Sequence, residues 1–154
     1  MNSRIRSALR VLGFLATTLP LAGCQTFGIG GSSSTIASID NAQVSPEAAG
    51  VIAEDLVGSL AEVVGPGTGT VVLKPDDSAF AVALEKSLRA WGYAVAIDQK
   101  VDDASAIPVA FIIDSFEGNV LARLSTATVD LGRAYALTET GATPTSPLSV
   151  LQRA

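Results

Sequence analysis

The chain has 154 residues, nearly half of them apolar, which is enough for one domain with a core and too few for two. It has no histidine and a single cysteine, Cys24, which excludes histidine-based triads, histidine-ligated zinc and any internal disulfide. Arg4, Arg6 and Arg10 precede the first acid, Asp40, so residues 24–154 hold all 15 acidic side chains but only seven of the 10 basic ones; such a surface is ill suited to phosphate backbones and so to direct nucleic-acid binding.

Residues 1–23 have the layout of a secretory signal: a basic start, an apolar run over about Val11–Leu21, then small residues. Leu21-Ala22-Gly23-Cys24 matches a lipobox, with leucine at its head, two small residues and the cysteine that follows cleavage. The thiol of Cys24 is the nucleophile for a diacylglyceryl thioether, and its freed α-amine can take an N-acyl chain such as palmitate. Three acyl chains exceed what stable membrane attachment needs, at about 0.8 kcal/mol per buried methylene. A membrane-spanning helix is the poorer account, because the run falls short of the roughly 20 apolar residues required and is interrupted by Thr17, Thr18 and Pro20. Gln25, rather than aspartate, follows the cysteine, which favours sorting to the periplasmic face of the outer membrane. Apart from these covalent lipids no cofactor and no metal is expected.

Residues 24–44 form a lipidated, Gly/Ser-rich tether, in which Phe27 and Ile29 are the side chains able to anchor a partner contact. The folded domain is expected over residues 45–139. Ser45 is an N-cap candidate, Pro46 fits the first helical position, and Ile52, Leu56, Leu60 and Val63 recur at helical spacing until Gly65-Pro66-Gly67 ends the helix. Thr70–Leu73 reads as a short buried strand. Asp77 or Ser78 caps a second helix whose apolar face is Phe80, Leu84, Leu88 and Trp91; Glu85 and Arg89 make an i,i+4 pair, and Gly92 closes it. Tyr93–Ile97 follows as a strand, completing a β-α-β unit.

Val109–Phe116, Val120–Thr126 and Val129–Leu137 read as antiparallel strands, with a hairpin turn at Gly118-Asn119 and Gly132 as a candidate bulge. Residues 140–154, broken by Gly141, Pro144 and Pro147, are expected to be an irregular tail. The fold class expected is two-layer α/β (α+β): two helices packed on a mixed, mostly antiparallel sheet.

Chemistry-bearing patterns are sparse. The acidic pairs Asp76-Asp77 and Asp102-Asp103 lack the glycine-punctuated loop of a calcium site and read as a cap and a polar turn. Asp114, Glu117, Arg123 and Arg133 read as cross-strand ion pairs; an acid–base site around Asp114 and Arg133 would need a cleft. Gly65-Pro66-Gly67-Thr68-Gly69-Thr70 precedes a strand and lacks the Lys-Ser/Thr ending of a phosphate loop. Trp91, at the end of a helix face, is either core or the aromatic centre of a partner contact.

From Ser45 onward the sequence resembles the TrbH family of conjugal transfer lipoproteins. The resemblance is carried by Val64–Thr68, Ala83–Tyr93, Leu121–Thr126, Leu131–Tyr135 and Pro147–Val150. It implies a structural part of a type IV secretion (mating-pair-formation) apparatus in plasmid conjugation, anchored at the outer membrane and joining other channel proteins. The family offers no catalytic residue to carry over and implies no enzyme activity and no small-molecule substrate. The alternatives are a general envelope-assembly or transport accessory lipoprotein and, third, a periplasmic enzyme.

Overall fold

A computed structural model describes residues 37–67, 69–99, 101 and 104–153. Its elements are, in order, β1 (Ile39–Asp40), α1 (Pro46–Val64), β2 (Thr70–Leu73), α2 (Ala79–Ala90), β3 (Ala94–Ile97), β4 (Ile107–Phe116), β5 (Asn119–Ser125), β6 (Val129–Thr138), β7 (Gly141–Pro144) and β8 (Ser149–Gln152). Both helices lie on one face of an eight-stranded mixed sheet of order β3-β2-β4-β5-β6-β7, with β1 beside β4 and β8 beside β6. This is the two-layer class expected from the sequence.

Local chemistry accounts for the helix ends. The Ser45 hydroxyl accepts the Ala48 N–H at 3.3 Å, and Pro46 occupies the first turn, where a missing N–H costs nothing. Gly65, at φ +92°, ends α1. The α2 cap is Ser78, whose hydroxyl accepts the Ala81 N–H at 3.1 Å. Trp91 is the C-cap of α2, and Gly92 just past it takes φ +90°, a conformation that side chains resist.

β1, β2 and β3 run parallel to their neighbours; α1 carries the chain from β1 to β2 and α2 from β2 to β3. β4, β5 and β6 form an antiparallel meander. Alternation places Val109, Phe111 and Ile113 of β4, Val120, Ala122 and Leu124 of β5, and Leu131 and Tyr135 of β6 under the helices, all buried. They meet Ile52, Leu56 and Leu60 of α1 and Phe80, Leu84 and Leu88 of α2 in one core. Phe80 and Phe111 stand edge to face with centroids 4.9 Å apart, fixing α2 over β4. Full burial of each such side chain stabilises the fold by about 1.5–3 kcal/mol.

Several expectations are corrected. The tether does not extend to residue 44: Ile39 and Asp40 pair with Ile112 and Ile113 of β4, and Val44 is buried. A two-residue strand has too little sequence to show a period. The β4–β5 turn is Glu117-Gly118, one residue earlier than expected, with φ +48° and +79° and Phe116 paired to Asn119. Positive φ at both central residues is the turn geometry that matches the twist of a hairpin. Gly132 forms no bulge; it pairs in register with Arg123 on one side and Ser149 on the other.

The irregular tail is in fact an edge strand. β7 and β8 both run antiparallel to β6, covering Tyr135–Thr138 and Val129–Gly132 respectively. Between them residues 145–148 stand opposite only Arg133 and Ala134, so β7 and β8 are one strand bent at a bulge of two extra residues. Thr145 N–H donates to the Ala134 carbonyl at 2.8 Å, and the Ser146 hydroxyl accepts the Ala134 N–H at 2.9 Å, so the bulge leaves Ala134 satisfied. Gly141, Pro144 and Pro147 suggested a break, but an edge strand tolerates proline and bends at such points. A Cβ at Gly141 would stand 3.0 Å from a methyl of Val51, which is how closely β7 approaches α1.

Candidate functional site

Three places in the fold gather polar or exposed groups, and each resolves into a physical role. The first lies where β1 meets the β2–α2 turn, a hollow of about 370 Å³ that includes Asp40, Gln43, Asp76, Asp77 and Ser78. Asp40 accepts the N–H groups of Gln43 at 2.7 Å and Val44 at 3.3 Å. Asp76 accepts the Asp40 N–H at 2.7 Å through one oxygen, and the Ser78 N–H (3.2 Å) and hydroxyl through the other. Both carboxylates therefore answer backbone donors, tying β1 to the start of α2. Among the described residues no group of three or more carboxylates or thiols is placed to hold a metal. Asp102 and Asp103 lie outside the described residues.

The second is a cluster between α1 and the rim of the sheet. Arg133 Nη1 donates to both oxygens of Asp55 at 3.1 Å, and Arg133 Nε donates to the Ser146 carbonyl at 3.0 Å. The Tyr135 hydroxyl donates to Asp55 Oδ2 at 2.5 Å. Burial, then the hydrogen bond to Asp55 and its negative charge, hold the Tyr135 phenol far above its ordinary pKa. It stays a donor, unsuited to act as base or nucleophile.

The cross-strand ion pairs expected among Asp114, Glu117, Arg123 and Arg133 do not form. Asp114 lies across from Leu121, which in turn lies across from Ala134. Arg133, the next residue along, therefore points to the opposite face of the sheet. Asp114 accepts from the Asn41 side chain at 2.6 Å instead. No cleft joins Asp114 to Arg133. Arg133 pairs instead with Asp55, 78 residues away on α1, where no local signal in the sequence marks it as a partner.

The third is the outward groove between α1 and α2, about 560 Å³, lined mainly by small or apolar side chains such as Gly50, Val51, Val82, Ala83 and Trp91. Trp91 does not complete the core face of α2. It is 41% exposed, and a Cβ at Gly58 would stand 3.3 Å from its indole, so the ring lies across α1 at that glycine. Tyr93 takes the buried position, donating its hydroxyl to the Gly65 carbonyl at 2.5 Å. Val82, 69% exposed, went unremarked in the sequence; its position opposite Phe80 and Leu84 on a helical wheel was the available signal.

The meander strands β4 to β6 have ladder partners on both sides, so among the described residues the free sheet edges belong to β1, β3 and the bent β7–β8 strand. Leu21, Ala22, Gly23, Cys24, Phe27 and Ile29 lie outside the described residues. Among the described residues no helix is long and apolar enough to cross a membrane.

Residues 30–154 match the family model described as conjugal transfer protein TrbH. A protein of Sinorhizobium fredii (strain NBRC 101917 / NGR234), named as a probable conjugal transfer protein TrbH, is 42% identical over 149 residues, covering 94% of this chain and 98% of that protein. No solved structure matches. Likeness at that identity over nearly the whole of both chains shows the kinship that the sequence motifs suggested: the chain belongs to the TrbH family of conjugal transfer proteins.

Proposed function

We propose that the protein is an outer-membrane-anchored lipoprotein that serves as a structural component of a conjugative type IV secretion (mating-pair-formation) apparatus. The observation that carries the conjugation role is the near-full-length likeness to a conjugal transfer protein. The anchor rests on Leu21-Ala22-Gly23-Cys24 behind a basic and apolar leader. Its partners are other proteins of the channel; it takes neither nucleic acid nor a small substrate, and it catalyses nothing. In support, the two polar clusters are engaged in holding the fold: Asp40 and Asp76 bind backbone donors, and Asp55 binds Arg133 and Tyr135. Lipid attachment keeps the domain at the membrane, where tethering raises its effective concentration near other envelope proteins.

The test is plasmid transfer from a donor lacking the protein, scored beside growth and envelope integrity. Transfer is expected to fall while growth and envelope stay normal. Wild type should restore transfer; Cys24→Ser should not, and should leave the outer-membrane fraction. Normal transfer in the deletion strain would sink the conjugation role, and outer-membrane fractionation of Cys24→Ser would sink the anchor.

A further inference from the structure

The outward side of the helix pair carries a second stripe that the core does not use. On α1 it runs through Glu47, Val51 and Glu54, and on α2 through Val82 and Lys86 to Trp91. Val82, Trp91 and Val51 are 69%, 41% and 39% exposed, and all three line one groove with a floor of small residues. An exposed apolar strip of this kind, with small residues that let another backbone approach, is characteristic of an interface. Its charges are split by side. The α1 rim is acidic and the α2 rim carries Lys86, and none of Glu47, Glu54 and Lys86 forms an ion pair among the described residues.

The two helices run side by side in the same direction. Ser87 reaches the Ala53 carbonyl at 3.4 Å, and the Trp91 indole lies against Gly58. Glu54 and Lys86, each next to one of the residues joined by that first contact, therefore stand within about 3 Å of each other in height on opposite rims, a gap that two long side chains can span. A twofold axis lying along the groove exchanges the rims and preserves height. It sets α1 of one copy against α2 of the other, so that Glu54 of each copy faces Lys86 of its mate and Val51 comes within about one helical turn of Val82. The acidic and basic rims thus complement a second copy of the same chain.

We propose that this helix face is an isologous homodimer interface, with Val82 and Trp91 near its centre and two reciprocal Glu54–Lys86 pairs across it. Each substitution on such a face acts twice per dimer, which makes the arrangement sensitive to single changes. The full chain in detergent, measured by sedimentation equilibrium over a wide concentration range, should populate a dimer. Val82→Glu should weaken association by about tenfold or more. Lys86→Glu and Glu54→Lys should each weaken it by setting like charges face to face, and the two together should restore it. All three positions face outward, so circular dichroism should show each variant folded; should Val82→Glu fail to fold, the charge exchange stands alone as the test. A wild-type chain that stays monomeric would overturn the proposal. So would a dimer indifferent to these substitutions, or a charge exchange that restores nothing.

Discussion

From β1 to β3 the chain alternates strand and helix, and β2 sets Val71 and Leu73 fully into the core, whereas the bent β7–β8 strand at the opposite rim fully buries only Gly141 and gives the core two partly buried side chains, Ala142 and Leu148. The rim is held by backbone pairing and by a few long-range polar contacts. Arg133 and Tyr135 of β6 fasten to Asp55 of α1, and Arg133 also holds the bulge through the Ser146 carbonyl. Arg153 pairs with Asp130, donates to the Thr126 carbonyl at 3.3 Å, and closes its N–H on the Thr128 carbonyl at 2.8 Å. One part of the molecule is thus secured by apolar area, the other by donors and acceptors that must all be present. The first loses stability by degrees when trimmed; the second should loosen when a single acceptor is removed.

Asp55 is that acceptor, and removing it should have the largest effect. Asp55→Ala leaves a guanidinium and a buried phenol without their shared partner, at a cost of about 2–4 kcal/mol. Chemical denaturation should register the loss, and hydrogen exchange should locate it, with amides of β7 and β8 opening before those of β2 and β3. A loss below about 1 kcal/mol, or uniform acceleration of exchange, would assign the rim to ladder pairing alone and end the contrast between the two parts.

The same contrast explains what could be read from the sequence. Both helices were legible because the signals that make them are local: Ser45 and Ser78 cap, Gly65 stops, and Ile52, Leu56, Phe80 and Leu84 repeat at the helical period. The strands β2 to β6 declared themselves by apolar runs between turns. The rim did not, because Gly141, Pro144 and Pro147 speak locally against a strand, and its pairing comes from β6 rather than from burial of its own side chains. β1 escaped notice for a related reason, being two residues whose place is set by Asp76 and β4. Among the site residues, the exposure of Trp91 and the Asp55 cluster depend on where α1 lies over its neighbours. Spacing along the chain carries no record of that.

Tyr135 offers a sharper, pH-dependent test of the Asp55 cluster. Its folded pKa is raised above the ordinary 10.0, so the folded state keeps the proton that the unfolded chain releases. That contribution is fully present below pH 10 and is lost as the pH climbs beyond it, at about 1.4 kcal/mol per pH unit. Tyr135→Phe lacks the ionisable group, so its stability should fall less steeply than wild type above that pH, even if it starts lower at neutrality. Parallel curves for the two proteins would mean that the phenol ionises freely in the folded state and is not held by Asp55.

The smallest effect expected is a gain, in the meander between the two contrasted regions. Glu117 takes φ +48° in the two-residue turn joining β4 to β5, where its side chain finds no hydrogen-bond partner among the described residues and bears the cost of a left-handed backbone. Asparagine tolerates that conformation better, and Asn-Gly is the pair most favoured in such turns. Glu117→Asn should therefore raise stability by about 0.5–1 kcal/mol without touching either helix or the rim. The gain should appear equally in wild type and in Asp55→Ala, because a hairpin turn and a rim clamp that share no partner add independently. A gain that vanishes in the Asp55→Ala background would mean that the meander transmits strain from its turn to the rim. Stability would then depend on register along β5 and β6 rather than on two separable devices.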